Sequence, residues 1–165
     1  TLGELFEQFD YLCEKNKVEK IKTIGDSYMV VSGIPEIKGD HVKNLAHFAL
    51  DIKQATNIFS QIKGIEIQIR VGMALGKVIG GVMGKKKFIY DIWGDTVNIA
   101  SRMESTGVNN EIQITEKVAM AISEDFILKE RGTIEVKGRG VMKTYFLLSP
   151  KGSVHTTVGV NQQTT

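Results

Sequence analysis

Residues 65–73 place Ile65, Ile67, Ile69, Val71 and Met73 in alternation with Glu66, Gln68 and Arg70. Successive side chains of an extended chain point to opposite sides, so this pattern predicts a strand with one covered and one wetted face. Such a strand needs neighbours in a sheet and an apolar layer above it, which argues against an all-helical bundle. The same sequence supplies the covering layer. Leu2, Leu5, Phe6, Phe9 and Leu12 recur at three- and four-residue steps, predicting an amphipathic helix over 2–12. A second helix begins at Asp40, an acidic cap candidate, carries Leu45, Phe48, Ala49, Ile52, Ala55 and Phe59 at helical spacing, and stops near Gly64.

The remaining segments mix short strands with short helices. Residues 18–32 read as a hairpin turning at Gly25-Asp26, followed by a loop through Gly33, Pro35 and Gly39. Residues 78–83 are apolar and Gly-rich, 88–93 are strand-like, and Asp95 can cap a helix reaching Ser105. A strand over 111–115 and a short helix over 116–122 follow, then strands over 126–137 and 141–148 joined across Gly138-Arg139-Gly140. Hairpins interleaved with helices predict an α+β sandwich with a late β-hairpin and not a doubly wound sheet. We expect one domain over 1–150 and a disordered polar tail over 151–165, where Thr, Gln, Gly and Val follow no period.

Composition removes several function classes. A net charge of +2 is too small for a nucleic-acid surface, and the basic residues are scattered apart from Lys85, Lys86 and Lys87. No apolar run reaches the length of a membrane span, so direct membrane insertion by this segment is not expected. Cys13 is the sole cysteine, which precludes an internal disulfide and a cysteine-zinc cluster and fits a reducing, cytoplasmic setting. The chain opens with Thr1. That is compatible with Met removal and with excision from a longer protein.

Phosphate-binding motifs of the common kinds fail. The glycines at 72–84 do not complete G-x-x-x-x-G-K-S/T, and Gly76, Gly80 and Gly81 do not form G-x-G-x-x-G between a strand and a helix. Close strand packing explains them better. His41, His47 and His155 share no metal-ligand spacing. Asn98 and Arg102 are four apart on the predicted third helix and share a face, while Val97, Ala100 and Met103 cluster on the other. Read alone, that pair is an ordinary exposed surface and Asp26 an ordinary hairpin-turn aspartate.

The sequence around these residues carries more. The run FIYDIWGDTVNIASRMESTG at 88–107 closely resembles the signature of the class III adenylyl and guanylyl cyclase catalytic domains. VEKIKTIGDSYMVVSG at 18–33 is similar to the family's metal-site hairpin, and VKGRG at 136–140 to its late phosphate-contacting loop. The resemblance extends over residues 2–148 and implies a ferredoxin-like, cyclase-type sheet containing antiparallel strands and covered by helices. It also implies a reaction in which the ribose 3′-hydroxyl of a nucleoside triphosphate attacks its own α-phosphate and expels pyrophosphate.

By that resemblance Asp26 is one of two aspartates holding Mg²⁺ or Mn²⁺, Arg102 stabilises the pentavalent phosphate, Asn98 orients ribose and phosphate, and Lys137 meets the terminal phosphates. Lys22 and Asp91, helped by the backbone of Ile92, are the base-selecting positions. A Lys donor and an Asp acceptor complement N1 and the 6-amino group of adenine. Guanylyl cyclases usually carry Glu and a smaller residue, often Cys, at those two places. A mismatched base leaves buried polar groups unpaired at about 1 to 3 kcal/mol each, so ATP is expected over GTP.

One family element is missing. The strand that carries the other metal aspartate should precede the helix at Leu2, and Asp10, Asp40 and Asp51 lie in or beside helices and do not replace it. The resemblance implies a site shared between two subunits, hence a homodimer or a complementing cyclase domain, on the cytoplasmic side or the cytoplasmic face of a membrane. The expected function is adenylyl cyclase, with activity of the isolated chain in question. A non-catalytic dimerisation module and a guanylyl cyclase are the alternatives.

Overall fold

The structure is a computed structural model that describes residues 1–34, 37, 39–83 and 88–152. The tail beyond 152, Pro35, the lysine triplet and His155 lie outside the described residues. The elements run α1 (Leu2–Asn16), β1 (Glu19–Ile24), β2 (Ser27–Val31), α2 (His41–Lys63), β3 (Val71–Met73), β4 (Ile79–Met83), β5 (Phe88–Trp93), α3 (Asp95–Ser105), β6 (Ile112–Thr115), α4 (Glu116–Ile122), β7 (Phe126–Val136) and β8 (Gly140–Pro150). The α+β expectation holds. Among the described residues, the antiparallel pairs β1-β2, β4-β5, β6-β8 and β7-β8 stand beside one parallel pair, β3 with β6. Among the described residues, no helix is long and apolar enough to cross a membrane.

A four-stranded sheet ordered β3-β6-β8-β7 forms the main platform. Its covered face buries Met73, Ile112, Ile114 and Leu147 against Ala46 and Ala49 of α2 and Val118 and Ile122 of α4. A second apolar cluster joins α1 to α2 through Leu5, Phe9, Phe48, Ile52 and Phe59, which helical spacing placed on the covered faces of the two helices, and adds Cys13. Tyr28 of β2 packs there edge-on to Phe6 and Phe9, and its hydroxyl donates to Asp10 at 2.5 Å. Burial, followed by the hydrogen bonds to Asp10 and Cys13, pushes the Tyr28 phenol far above its usual range, so it stays neutral.

Three sequence expectations are corrected. The segment 65–73 is a strand only at Val71–Met73. Its alternation survives in burial, with Ile67, Ile69 and Val71 turned toward the α1-α2 cluster and Glu66, Gln68 and Arg70 exposed. A ladder also requires a partner backbone, and β6 spans only Ile112–Thr115. Asp40 does stand before α2, but its side chain makes no capping bond. The cap of α3 is Gly94, at φ 126°, and Asp95 is the first helical residue.

The contact that fixes α3 is made by an absent side chain. A Cβ at Gly72 of β3 would lie 2.2 Å from the Glu104 nitrogen and 2.6 Å from the Ala100 carbonyl oxygen, so the helix rests directly on the strand backbone. Gly72→Ala is expected to destabilise the fold by about 3 kcal/mol through overpacking. Gly3→Ala, where nothing lies within 4 Å, is expected to stay within about 0.5 kcal/mol. Urea unfolding midpoints of the two variants check the contrast.

Candidate functional site

Asp91 sits on β5 and Lys22 on β1, separated by 69 positions, and the ammonium Nζ lies 3.0 Å from the carboxylate Oδ2. The other carboxylate oxygen accepts the Ile92 backbone N–H at 2.8 Å, which holds the Asp91 side chain in one orientation. Ile92 itself turns inward, buried with Val31 and half-buried Val97. The two positions expected to select the base are therefore in direct contact. A bulge at Ile21, which has no cross-strand partner between Lys20 and Lys22, sets which side of the hairpin Lys22 faces.

The Lys22 hydrogen bond, then the Ile92 amide, holds the Asp91 carboxyl below the ordinary carboxylate range. Both side chains are about a third exposed, at 37% and 33%, so solvent screens the pair.

Asn98 and Arg102 project from the exposed face of α3, and Met103 on the opposite face is fully buried. The Arg102 guanidinium donates to the Glu135 carbonyl at 3.4 Å. This brings Arg102 to the end of β7, two residues before Lys137, which is exposed in the β7-β8 turn. A second tie joins the same elements: Arg139 in that turn pairs with Asp95 at 2.5 Å. By sequence Asp95 was a cap and nothing more. Its pairing with the turn had no local signal, because the partner is 44 positions away.

Asp26 lies in the turn between β1 and β2 and is exposed. It borders a cleft of about 860 Å³ between β2 and the segment leading through β3 to Gly76. Lys22, Val97 and Ala100 line other parts of that cleft. Among the described residues, no group of three or more His, Cys, Asp or Glu could hold a metal ion. Asp26 is thus a single hard oxygen donor at the edge of a large opening.

Residues 1–149 match the family model for the adenylate and guanylate cyclase catalytic domain. The chain belongs to that family. It is 49% identical over 153 residues to an adenylate cyclase of Mycobacterium tuberculosis, covering 91% of this chain and 34% of the relative. It is 43% identical over 150 residues to the human guanylate cyclase soluble subunit beta-2, covering 90% of this chain and 24% of that protein. The chain therefore spans about a third or less of these relatives. Among solved structures, the guanylate cyclase domain of a Catenaria anguillulae protein in complex with GTP superposes with a TM-score of 0.82 at 38% identity, covering 92% of this chain and 83% of that one. This cyclase domain is accordingly similar to enzymes of both nucleotide specificities.

The ion pair makes a titration prediction. Because the folded state depresses the Asp91 carboxyl, the pair's stabilisation is present above the unfolded value of about 3.9 and is lost as pH falls through the lower folded value. Carbon-13 NMR of the Asp91 carboxyl should show a midpoint below the ordinary range that rises in Lys22→Met. A midpoint indifferent to that change would contradict the pairing.

Proposed function

We propose that this chain is an adenylyl cyclase catalytic domain, converting ATP to 3′,5′-cyclic AMP and pyrophosphate at the interface of a homodimer or with a complementing cyclase domain. The observation that carries the reading is the Lys22–Asp91 contact, a cationic donor beside an anionic acceptor at 3.0 Å. Adenine presents an acceptor at N1 and a donor at its 6-amino group, the complement of that pair. A guanine base presents the reverse, and the Glu and small residue usual in guanylyl cyclases are not at 22 and 91. An inserted guanine would set donor against donor in a partly desolvated place.

Arg102, Asn98 and Lys137 then act on the triphosphate. Arg102 spreads charge from the pentavalent phosphate over several donors, Asn98 orients the ribose, and Lys137 neutralises the terminal phosphates. The hydrogen bond from Arg102 to a backbone carbonyl is long, at 3.4 Å, and a phosphate oxygen can displace it. Asp26 fits Mg²⁺ or Mn²⁺ as one hard oxygen ligand but does not make a full set by itself. Such an ion, when bound, would polarise the 3′-hydroxyl and offset phosphate charge. The second carboxylate belongs, in this reading, to an extended segment seated in the cleft beside Asp26. The cleft supports it, because β2 and β3 border the opening and pair on their other sides with β1 and β6.

A second reading rests on that same opening. If no carboxylate is brought to Asp26, the chain serves as a non-catalytic dimerisation module for another cyclase domain.

Complementation separates these readings. This chain, mixed with a cyclase domain that bears both metal aspartates and an Arg→Ala change at the position equivalent to Arg102, should form cyclic AMP with Mg²⁺ or Mn²⁺. ATP should exceed GTP at least about tenfold in kcat/KM, and Arg102→Ala in this chain should lower kcat by about 100-fold or more. Lys22→Glu combined with Asp91→Cys should move the preference toward GTP. Equal turnover of both nucleotides refutes the adenylyl assignment. No cyclic nucleotide from the mixture supports the dimerisation reading.

A further inference from the structure

Gln113 occupies the middle of β6, an interior strand of the four-stranded sheet, and is fully buried. Its neighbours Ile112 and Ile114 point into the apolar core beneath α2 and α4. Gln113 points the other way, toward α3. An apolar residue there would avoid desolvating an amide, so a glutamine is tolerated only if every polar atom finds a partner.

They do. The amide nitrogen donates to the Met103 carbonyl at 2.8 Å and to the Thr106 hydroxyl at 2.9 Å. The amide oxygen accepts from the guanidinium of Arg131. A flipped amide would set its oxygen against the Met103 carbonyl and its nitrogen against a guanidinium, so the surroundings fix its orientation. The chain of donors continues. The Thr106 hydroxyl, having accepted from Gln113, donates to the carbonyl of Arg102 at 2.6 Å. Arg131 reinforces this by donating to the Thr106 carbonyl at 2.5 Å.

Arg131 reaches this position because β7 is bulged there. Glu130 pairs with Tyr145 and Gly132 with Thr144, leaving Arg131 with no cross-strand partner. Gly132 adopts φ 134°, and its carbonyl accepts from the buried Thr144 hydroxyl at 2.9 Å, which pins the irregularity. An inserted residue of this kind re-aims a side chain, and such bulges concentrate beside functional sites. The Arg131 guanidinium also lies over the Phe146 ring, 5.6 Å from its centroid.

From these contacts we infer that Arg131, Gln113 and Thr106 are positioning residues that fix the backbone of Arg102, and with it the reach of the Arg102 guanidinium toward phosphate. This inference rests on the role proposed for Arg102 in the cyclase reaction. The donors run in one direction, Arg131 to Gln113 to Thr106 to the Arg102 carbonyl, so each hydrogen bond polarises the next. The last link is a local i−4 bond, and the Arg102 carbonyl also accepts the Thr106 backbone N–H at 3.0 Å and the Ser105 hydroxyl at 3.3 Å, so what the network adds is the anchoring of this helix end to β6 and β7. A guanidinium that stabilises a transition state acts through sub-ångström placement, and loss of support behind it lowers kcat more than substrate binding.

Thr106 offers the cleanest test because it is only half-buried and Val matches its shape. In the complementation mixture, Thr106→Val should lower kcat about tenfold with KM for ATP within about twofold, and Thr106→Ser, which keeps the hydroxyl, should restore it. Arg131→Met should reproduce the Val effect, and its kcat decides the question if Thr106→Val fails to fold. The Arg102 Nε–H NMR resonance of the chain alone gives a readout independent of turnover. It should shift in Thr106→Val and return in Thr106→Ser. A folded Thr106→Val chain with wild-type kcat overturns the inference, as does one with reduced melting temperature and unchanged kcat. If the wild-type mixture makes no cyclic nucleotide, the cyclase proposal fails. The positioning claim then stands or falls on the Arg102 resonance, and an unmoved resonance sinks it.

Discussion

The seating of α3 on the bare backbone of β3 at Gly72 is the constraint from which the site follows. A helix that meets a strand through side chains can slide by a fraction of a turn while those side chains change rotamer. One that meets it at 2.2 Å from a virtual Cβ has no such freedom. The N-terminal turn is fixed separately, by the Thr96 hydroxyl on the Lys77 carbonyl at 2.7 Å, and the C-terminal turn by Gln113. Asn98 and Arg102 therefore stand on a helix held at its start, middle and end.

Much of the architecture was legible because it depends on local periodicity. α1 and α2 follow the spacing of Leu5, Phe9, Phe48 and Ile52, all of which are buried. The hairpin turning at Gly25-Asp26 was readable for the same reason, since Gly25 has φ 59° and short polar turn residues suit that conformation. What failed was the extent of the strand at 65–73 and the capping roles given to Asp40 and Asp95. Alternation at Ile67, Ile69 and Val71 reported the covered face correctly but said nothing about whether a partner backbone would arrive.

The site divides along the same line. The candidate residues Asp26, Lys22, Asp91, Asn98, Arg102 and Lys137 were named through resemblance, not through spacing, because contacts such as Lys22 to Asp91 join distant positions. Gln113 and Arg131 gave no motif. A glycine inside a strand pattern, as at Gly132, signals a bulge, and that was the one sequence cue leading toward Arg131. A lone Gln in an apolar run, Ile112-Gln113-Ile114, was the other. Neither identifies its target, because the target is a backbone carbonyl on another element.

The hairpin β1-β2 shares no ladder with the four-stranded sheet among the described residues. Its alignment with the rest depends on side chains: Tyr28 and Val30 against the α1-α2 cluster, Tyr28 and Lys20 on Asp10, Val31 against Ile92, and the Lys22–Asp91 pair. Packing of that sort tolerates small rigid-body rocking, whereas a hydrogen-bonded ladder allows only whole-register steps. The hairpin is thus a short lever whose two ends carry unlike groups, a carboxylate at its turn and an ammonium along its arm. Any rotation that moves the Asp26 carboxylate also carries the Lys22 ammonium, so the positions of the two groups are mechanically linked.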